Sequence, residues 1–218
     1  MGHPFRTKVI AIIDYHAGNL ASVKRSLEAL GVEAVVTQDP QAVARAERLV
    51  FPGVGAAGQA MENLRRLGLD QALRQAFEAG TPILGICLGA QIILDFSEEN
   101  EVSCLGLIPG RVRALDGLKG RGQGQLLKIP QMGWNEVDFL RPHPVFQGLP
   151  RGVEFYFVHS YYPAPAADQY VLGVTTHGGQ FPSALGAESL VATQFHPEKS
   201  GRFGLAVLKN FLNWDGKC

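Results

Sequence analysis

Cysteine is scarce in this sequence: three residues in 218, at Cys87, Cys104 and Cys218. An odd number without paired spacing supplies no disulfide framework, so a reducing cytoplasm is the expected compartment and one thiol is free for chemistry. There is no excess of either charge. Lysine plus arginine and aspartate plus glutamate number 20 each. No basic stripe is present to neutralise phosphates, which removes the electrostatic basis for nucleic-acid binding. No stretch approaches the roughly 18 uninterrupted apolar residues of a membrane span. Residues 1–7 lack the apolar core of a signal peptide and are expected to be extended or disordered. No His/Cys/Asp cluster has metal-ligand spacing, so no metal and no cofactor is expected. What is there is an ordinary core composition, 46% hydrophobic against 18% charged, at a length that suits one domain over residues 8–218.

The apolar residues fall into two patterns. In the first half, continuous β-branched runs at residues 9–13, 32–37, 48–51 and 82–86 read as buried parallel strands. Helical patterns separate them. One carries Leu20, Val23, Leu27 and Leu30 on one side and stops at Gly31; a second covers residues 61–79 with a break near Gly68; a third covers residues 88–96. This alternation predicts an α/β fold with an open, mostly parallel sheet and helices on both faces. In the second half, short runs at residues 111–115, 134–138, 155–159, 170–175 and 190–195 sit between Gly, Pro and Asn turns. They predict mostly antiparallel strands added to that sheet. Residues 203–214 predict a closing helix with Phe203, Val207, Phe211 and Trp214 on its buried face. Four glycines in residues 117–124 lack the strand–GxxxxGK[ST]–helix setting of a phosphate loop and read as a surface loop.

Two segments carry chemistry. Gly85-Ile86-Cys87-Leu88-Gly89 ends an apolar strand and opens a helix, the nucleophile-elbow arrangement with cysteine in place of serine. Free N–H groups and the positive dipole end at a helix start favour a thiolate, and the Leu88 amide is placed to donate to an oxyanion. Gln194-Phe195-His196-Pro197-Glu198 ends another apolar strand. Residues two apart in an extended segment share a side, so Glu198 can orient the imidazole of His196, giving nucleophile, base and orienter. Each motif alone has a plainer reading: a small core cysteine in one case, a turn at a strand end in the other. The remaining histidines are weaker bases, since His16, His159 and His177 lack an acid at comparable spacing and His143 lies between two prolines.

Together, the 85–91 segment, which ends in Gln91, and the His-Pro-Glu segment about 110 residues later resemble the class I glutamine amidotransferases. The resemblance implies attack of Cys87 on the side-chain amide of glutamine, a γ-glutamyl thioester, and release of ammonia, with His196 as general base and acid and Glu198 as its orienter. It places a second oxyanion donor at Val54 or Gly55 in Pro52-Gly53-Val54-Gly55, and substrate contacts at Gly53, Gln91, Glu99, Ser160 and Tyr161. With the segments 14–19, 130–135 and 157–161, the chain is similar to glutaminase subunits of imidazole glycerol phosphate synthase over about residues 8–213. That similarity implies a separate cyclase subunit with a (β/α)8 barrel, docked in a heterodimer against Asn19, Trp134 and Lys199. Glutaminase subunits serving anthranilate or pyridoxal phosphate synthesis, and a silent regulatory module on the same fold, stand as alternatives.

Overall fold

The apolar runs of the first half become a parallel sheet whose side chains alternate between two cores. The computed structural model describes residues 10–118 and 128–217; the extended terminus expected at residues 1–7, most of the loop expected at residues 117–124, and Cys218 lie outside them. In chain order the first half comprises β1 (Ile10–Ile13), α1 (Leu20–Ala29), β2 (Ala34–Thr37), α2 (Pro40–Arg45), β3 (Arg48–Gly53), α3 (Ala57–Leu67), α4 (Leu69–Glu78), β4 (Ile83–Cys87) and α5 (Leu88–Ile92). Successive strand residues face opposite sides. Ile10, Ile12 and Val50 therefore join α1 in one core, while Ala11, Ile13, Leu49 and Phe51 join α2, α3 and α4 in the other. Helices cover both faces, as the alternation predicts.

The second half comprises β5 (Phe96–Ser97), β6 (Val102–Ser103), β7 (Gly110–Ala114), β8 (Gln131–Glu136), β9 (Asp138–Phe139), β10 (Glu154–His159), β11 (Tyr161–Pro165), β12 (Val171–His177), β13 (Gly179–Ala187), β14 (Leu190–Thr193) and α6 (Gly201–Asn213). The main sheet runs β2-β1-β3-β4-β14-β13-β12-β9. It is parallel from β2 to β14 and antiparallel beyond. Only some of the later strands extend it. β11, β7, β5 and β6 form a separate four-stranded sheet, and β8 pairs with β10 as a two-stranded ribbon.

Two of the expected helices differ in extent, and α2 was not expected. α3 starts at Ala57, before the predicted start at residue 61, and Gly68 in a left-handed conformation (φ 70°) separates it from α4. α5 ends at Ile92 instead of reaching residue 96, because Phe96 is already paired with Ser103 and Arg111.

The last helix meets the chain just before it at a backbone contact. A Cβ added to Gly204 would lie 1.8 Å from the Pro197 carbonyl oxygen. Gly204→Ala is expected to lower stability by about 1–3 kcal/mol in denaturant unfolding, the cost of overpacking a site with no slack. Gly117→Ala, where none of the described residues lies within 4 Å, is the control expected to leave the midpoint unchanged.

Candidate active site

Cys87 closes β4 and opens α5 with φ 54° and ψ −105°, a backbone conformation that side-chain-bearing residues avoid. The flanking glycines explain how the turn is held. A Cβ on Gly89 would stand 1.9 Å from the Phe51 carbonyl oxygen, and one on Gly85 would stand 3.1 Å from Ala192 Cβ. α5 thus lies directly on the backbone of β3, and the thiol is lifted at the carboxyl end of the sheet. Cys87 is buried (5% exposed), with its sulfur 3.9 Å from the Val158 carbonyl oxygen and 3.7 Å from the Gln194 amide nitrogen.

The base arrives on the neighbouring strand. β14 pairs with β4 in parallel, Thr193 opposite Ile86, and the chain beyond it places His196 beside the thiol. Its backbone is fastened on both sides: its N–H donates to the Tyr156 carbonyl at 2.9 Å, and its carbonyl accepts from Ser200 Oγ at 2.6 Å. Nδ1 of His196 lies 2.7 Å from Glu198 Oε1, with neither side chain exposed. Burial alone pushes this imidazole down. The charge of Cys87, its hydrogen-bonding proximity and then Glu198 outweigh burial and raise it to about 10. Among the described residues Nε2 has no completed hydrogen bond, so the sulfur raises its basicity from close by, short of a formed bond. The geometry supports an imidazolium at neutral pH, able to stabilise a thiolate and to give up its proton.

The other thiol in the described residues is a poor nucleophile. Burial pushes Cys104 up to about 11, and its sulfur contacts the Val102 carbonyl oxygen at 3.5 Å.

The candidate oxyanion donors sit beside Cys87. Gly53 is the register partner of Cys87 across β3 and β4, and Leu88 Cβ would lie 3.3 Å from a Cβ at Gly53. Val54 and Gly55 follow directly, Gly55 at φ 116° with open space around it. The candidate substrate residues are more heavily used by the protein than the sequence implies. Gln91 is buried, and its amide nitrogen donates to the Tyr161 carbonyl at 2.8 Å and to Gln194 Oε1 at 3.0 Å. Glu99 accepts from the Ala57 amide at 2.8 Å through Oε2, so one of its oxygens caps α3. The Ser160 carbonyl accepts from Leu115 N at 2.9 Å, which holds the corner between β10 and β11.

Asn19, expected at a partner surface, is half-buried, and its amide nitrogen donates to Glu198 Oε1 and lies 3.5 Å from His196 Nδ1. Its φ of 74° aims the side chain there, a conformation asparagine tolerates. Trp134 is exposed at 55%. It meets Lys199 through Tyr156, whose ring lies 6.3 Å from Trp134 and 5.9 Å from Lys199 Nζ. Sequence reasoning missed Tyr156; Gln194 and Tyr15 lie in segments it quoted, but it gave neither a role of its own.

If Glu198 supports the imidazolium, Glu198→Gln lowers the His196 pKa from about 10. The imidazolium is then lost at lower pH. The basic limb of the kcat/KM profile is expected to move down by about one unit or more, with kcat reduced about 10- to 100-fold at neutral pH. A limb that stays in place assigns the pKa elsewhere.

Comparison with known proteins shows the family to which the chain belongs. The glutamine amidotransferase class-I family model matches residues 11–214. The imidazole glycerol phosphate synthase subunit HisH of Nitratidesulfovibrio vulgaris (strain DSM 19637 / Miyazaki F) is 49% identical over 203 residues, 93% of this chain and 95% of the relative. The same-named subunit of Nitrosococcus oceani is 48% identical over 210 residues, 95% of this chain and 98% of that one. Among solved structures, PurLQS from Thermotoga maritima shares the fold with a TM-score of 0.68 at 18% identity, covering 95% of this chain and 98% of that one. The chain belongs to the class-I glutamine amidotransferase family.

Proposed function

We propose that this chain is the glutaminase subunit of an imidazole glycerol phosphate synthase, with its domain spanning residues 8–218. The observation that carries the chemistry is Cys87, held at a positive φ in a strand–helix elbow, beside an imidazole paired with Glu198 at 2.7 Å. The Cys87 thiolate attacks the carboxamide carbon of glutamine. The C=O electrons move to oxygen, which is received by the N–H of Leu88 and of Val54 or Gly55. The His196 imidazolium protonates the departing nitrogen, the C–N bond breaks, and ammonia leaves a γ-glutamyl thioester. Neutral His196 then takes a proton from water, the hydroxide attacks the thioester, and glutamate leaves as the thiolate re-forms. Gly53, Gln91, Glu99, Ser160 and Tyr161 line the substrate position. Gln91 orders the Tyr161 backbone, and Glu99 offers a carboxylate to the ammonium group.

Ammonia passes to a cyclase subunit with a (β/α)8 barrel, in the cytoplasm. The exposed Trp134, Met132 and Lys199 around Tyr156 form the docking face, and Asn19 lies at its inner edge against Glu198. Histidine biosynthesis is the pathway served. Among the described residues no helix is long and apolar enough to cross a membrane. In the complex, Cys87→Ser is expected to abolish glutamine-dependent synthesis and leave synthesis from ammonium salts intact. Residual glutamine turnover at the wild-type rate overturns the assignment.

Control is placed at the peptide following Gly53. Gly53, without a side chain, leaves the Gly53–Val54 peptide free to turn, and Gly55, at a φ of 116° that other residues rarely adopt, lets the chain beyond follow; the Val54 amide then turns between an outward and an inward orientation. The isolated chain is expected to hydrolyse glutamine slowly, with little change on adding cyclase. Cyclase carrying its ribotide ligand is expected to raise the rate roughly 100- to 1,000-fold, the scale of one oxyanion donor. Gly55→Val is expected to blunt that rise, and full-rate hydrolysis by the chain alone excludes the switch.

A further inference from the structure

Tyr15 follows β1 with its side chain wholly buried, yet among the described residues its hydroxyl has no hydrogen-bond partner. The ring is well held, packed 5.2 Å from Phe51 at a 48° tilt. The hydroxyl reaches past it to β3. A Cβ on Gly53 would lie 1.9 Å from the Tyr15 oxygen and 2.9 Å from Cζ, so the glycine at 53 is demanded by space for this phenol. Gly53 is in turn the register partner of Cys87. Burial, and then the charge of Cys87, push the phenol well above its ordinary range. It remains a neutral O–H, able to donate, beside the peptide that precedes Val54.

A buried donor without an acceptor forfeits a hydrogen bond it had in water. Gly53, the residue it presses against, carries a backbone carbonyl that can serve as that acceptor. The peptide joining Gly53 to Val54 is planar, so turning the Val54 N–H toward Cys87 swings the Gly53 carbonyl the opposite way. That carbonyl then needs a donor of its own, and the Tyr15 oxygen is the polar atom already pressed against the same residue. We propose that Tyr15 is a positioning residue for glutamine hydrolysis: its hydroxyl donates to the Gly53 carbonyl in the turned peptide and so holds the Val54 amide on the developing oxyanion. This rests on the glutaminase reading above. Tyr15 touches no reacting atom. It acts through the peptide, favouring the active orientation by the hydrogen bond that the inactive one leaves unmade.

Tyr15→Phe keeps the ring against Phe51 and removes only the hydroxyl. It is tested in the full chain, complexed with the cyclase and its ribotide ligand. The expected result is a fall of about tenfold in kcat for glutamine, smaller than the loss of an oxyanion donor itself. KM should stay within about twofold. Thermal stability should be unchanged or higher, since an orphaned polar atom has been removed, and ammonium-dependent synthesis should be unaffected. Unchanged kcat overturns the proposal. So does a fall in kcat accompanied by a lowered melting temperature or a raised KM, which marks a packing role. If the wild-type complex itself fails to hydrolyse glutamine, the glutaminase reading is the one that fails.

Discussion

Where α5 crosses β3, the backbone of Gly89 rests on the Phe51 carbonyl so closely that a methyl group would lie 1.9 Å from the oxygen. Helix and sheet meet there without side chains between them, and the turn that joins β4 to α5 must be completed within one residue. Cys87 takes that turn at φ 54°. Its conformation is costly in isolation and is held by packing on both faces of the sheet. From this contact the rest of the site follows: the thiol is set at the sheet's carboxyl end, Leu88 begins the helix beside it, and Gly53 lies opposite in register. A second backbone contact, Gly204 on the Pro197 carbonyl, fixes the turn carrying His196 and Glu198 in the same way. Two close approaches, each requiring a glycine, set the relation between nucleophile and base.

Much of the fold was legible because local chemistry and tertiary role coincide in the first half. Runs such as Ile10–Ile13 are apolar on both faces, and the sheet buries both. α2 was missed because Pro40–Arg45 is short and buries only Val43. β13 was missed because Gly179, Pro182 and Gly186 interrupt its pattern, although its Phe181, Ala184 and Leu185 are buried. The division of the later strands into three sheets depends on pairings between distant segments, which periodicity does not encode. In the site, Cys87, His196 and Glu198 announced themselves through crowding glycines and a two-residue spacing. Asn19 and Tyr15 lie in the 14–19 segment that helped carry the resemblance, but their contacts were not legible there: Asn19 meets Glu198, 179 residues away, and no local pattern encodes such a pairing.

The exposed face and the buried base are parts of one strand system. The Tyr156 ring stands outward between Trp134 and Lys199, while its carbonyl accepts the His196 amide at 2.9 Å and its amide donates to Ser200 Oγ at 2.9 Å. Displacement of that strand by a docked molecule is therefore felt at the imidazole through two hydrogen bonds. Gln194 completes the wall behind the sulfur, its own amide oxygen tied to Gln91. The thiol is thus surrounded by groups whose positions depend on three different segments.

Sheet order gives this arrangement a consequence in time. The strand beside β4 is β14, the last strand of the described chain, inserted between β4 and β13. During synthesis the elbow cysteine leaves the ribosome more than a hundred residues ahead of its base. Until β14 slots in and α6 seats Gly204 on Pro197, the sulfur has neither imidazole nor Gln194 beside it. A nascent or truncated chain therefore carries the thiol without the means to use it. The long sequence separation that slows folding also keeps an unfinished molecule from spending glutamine.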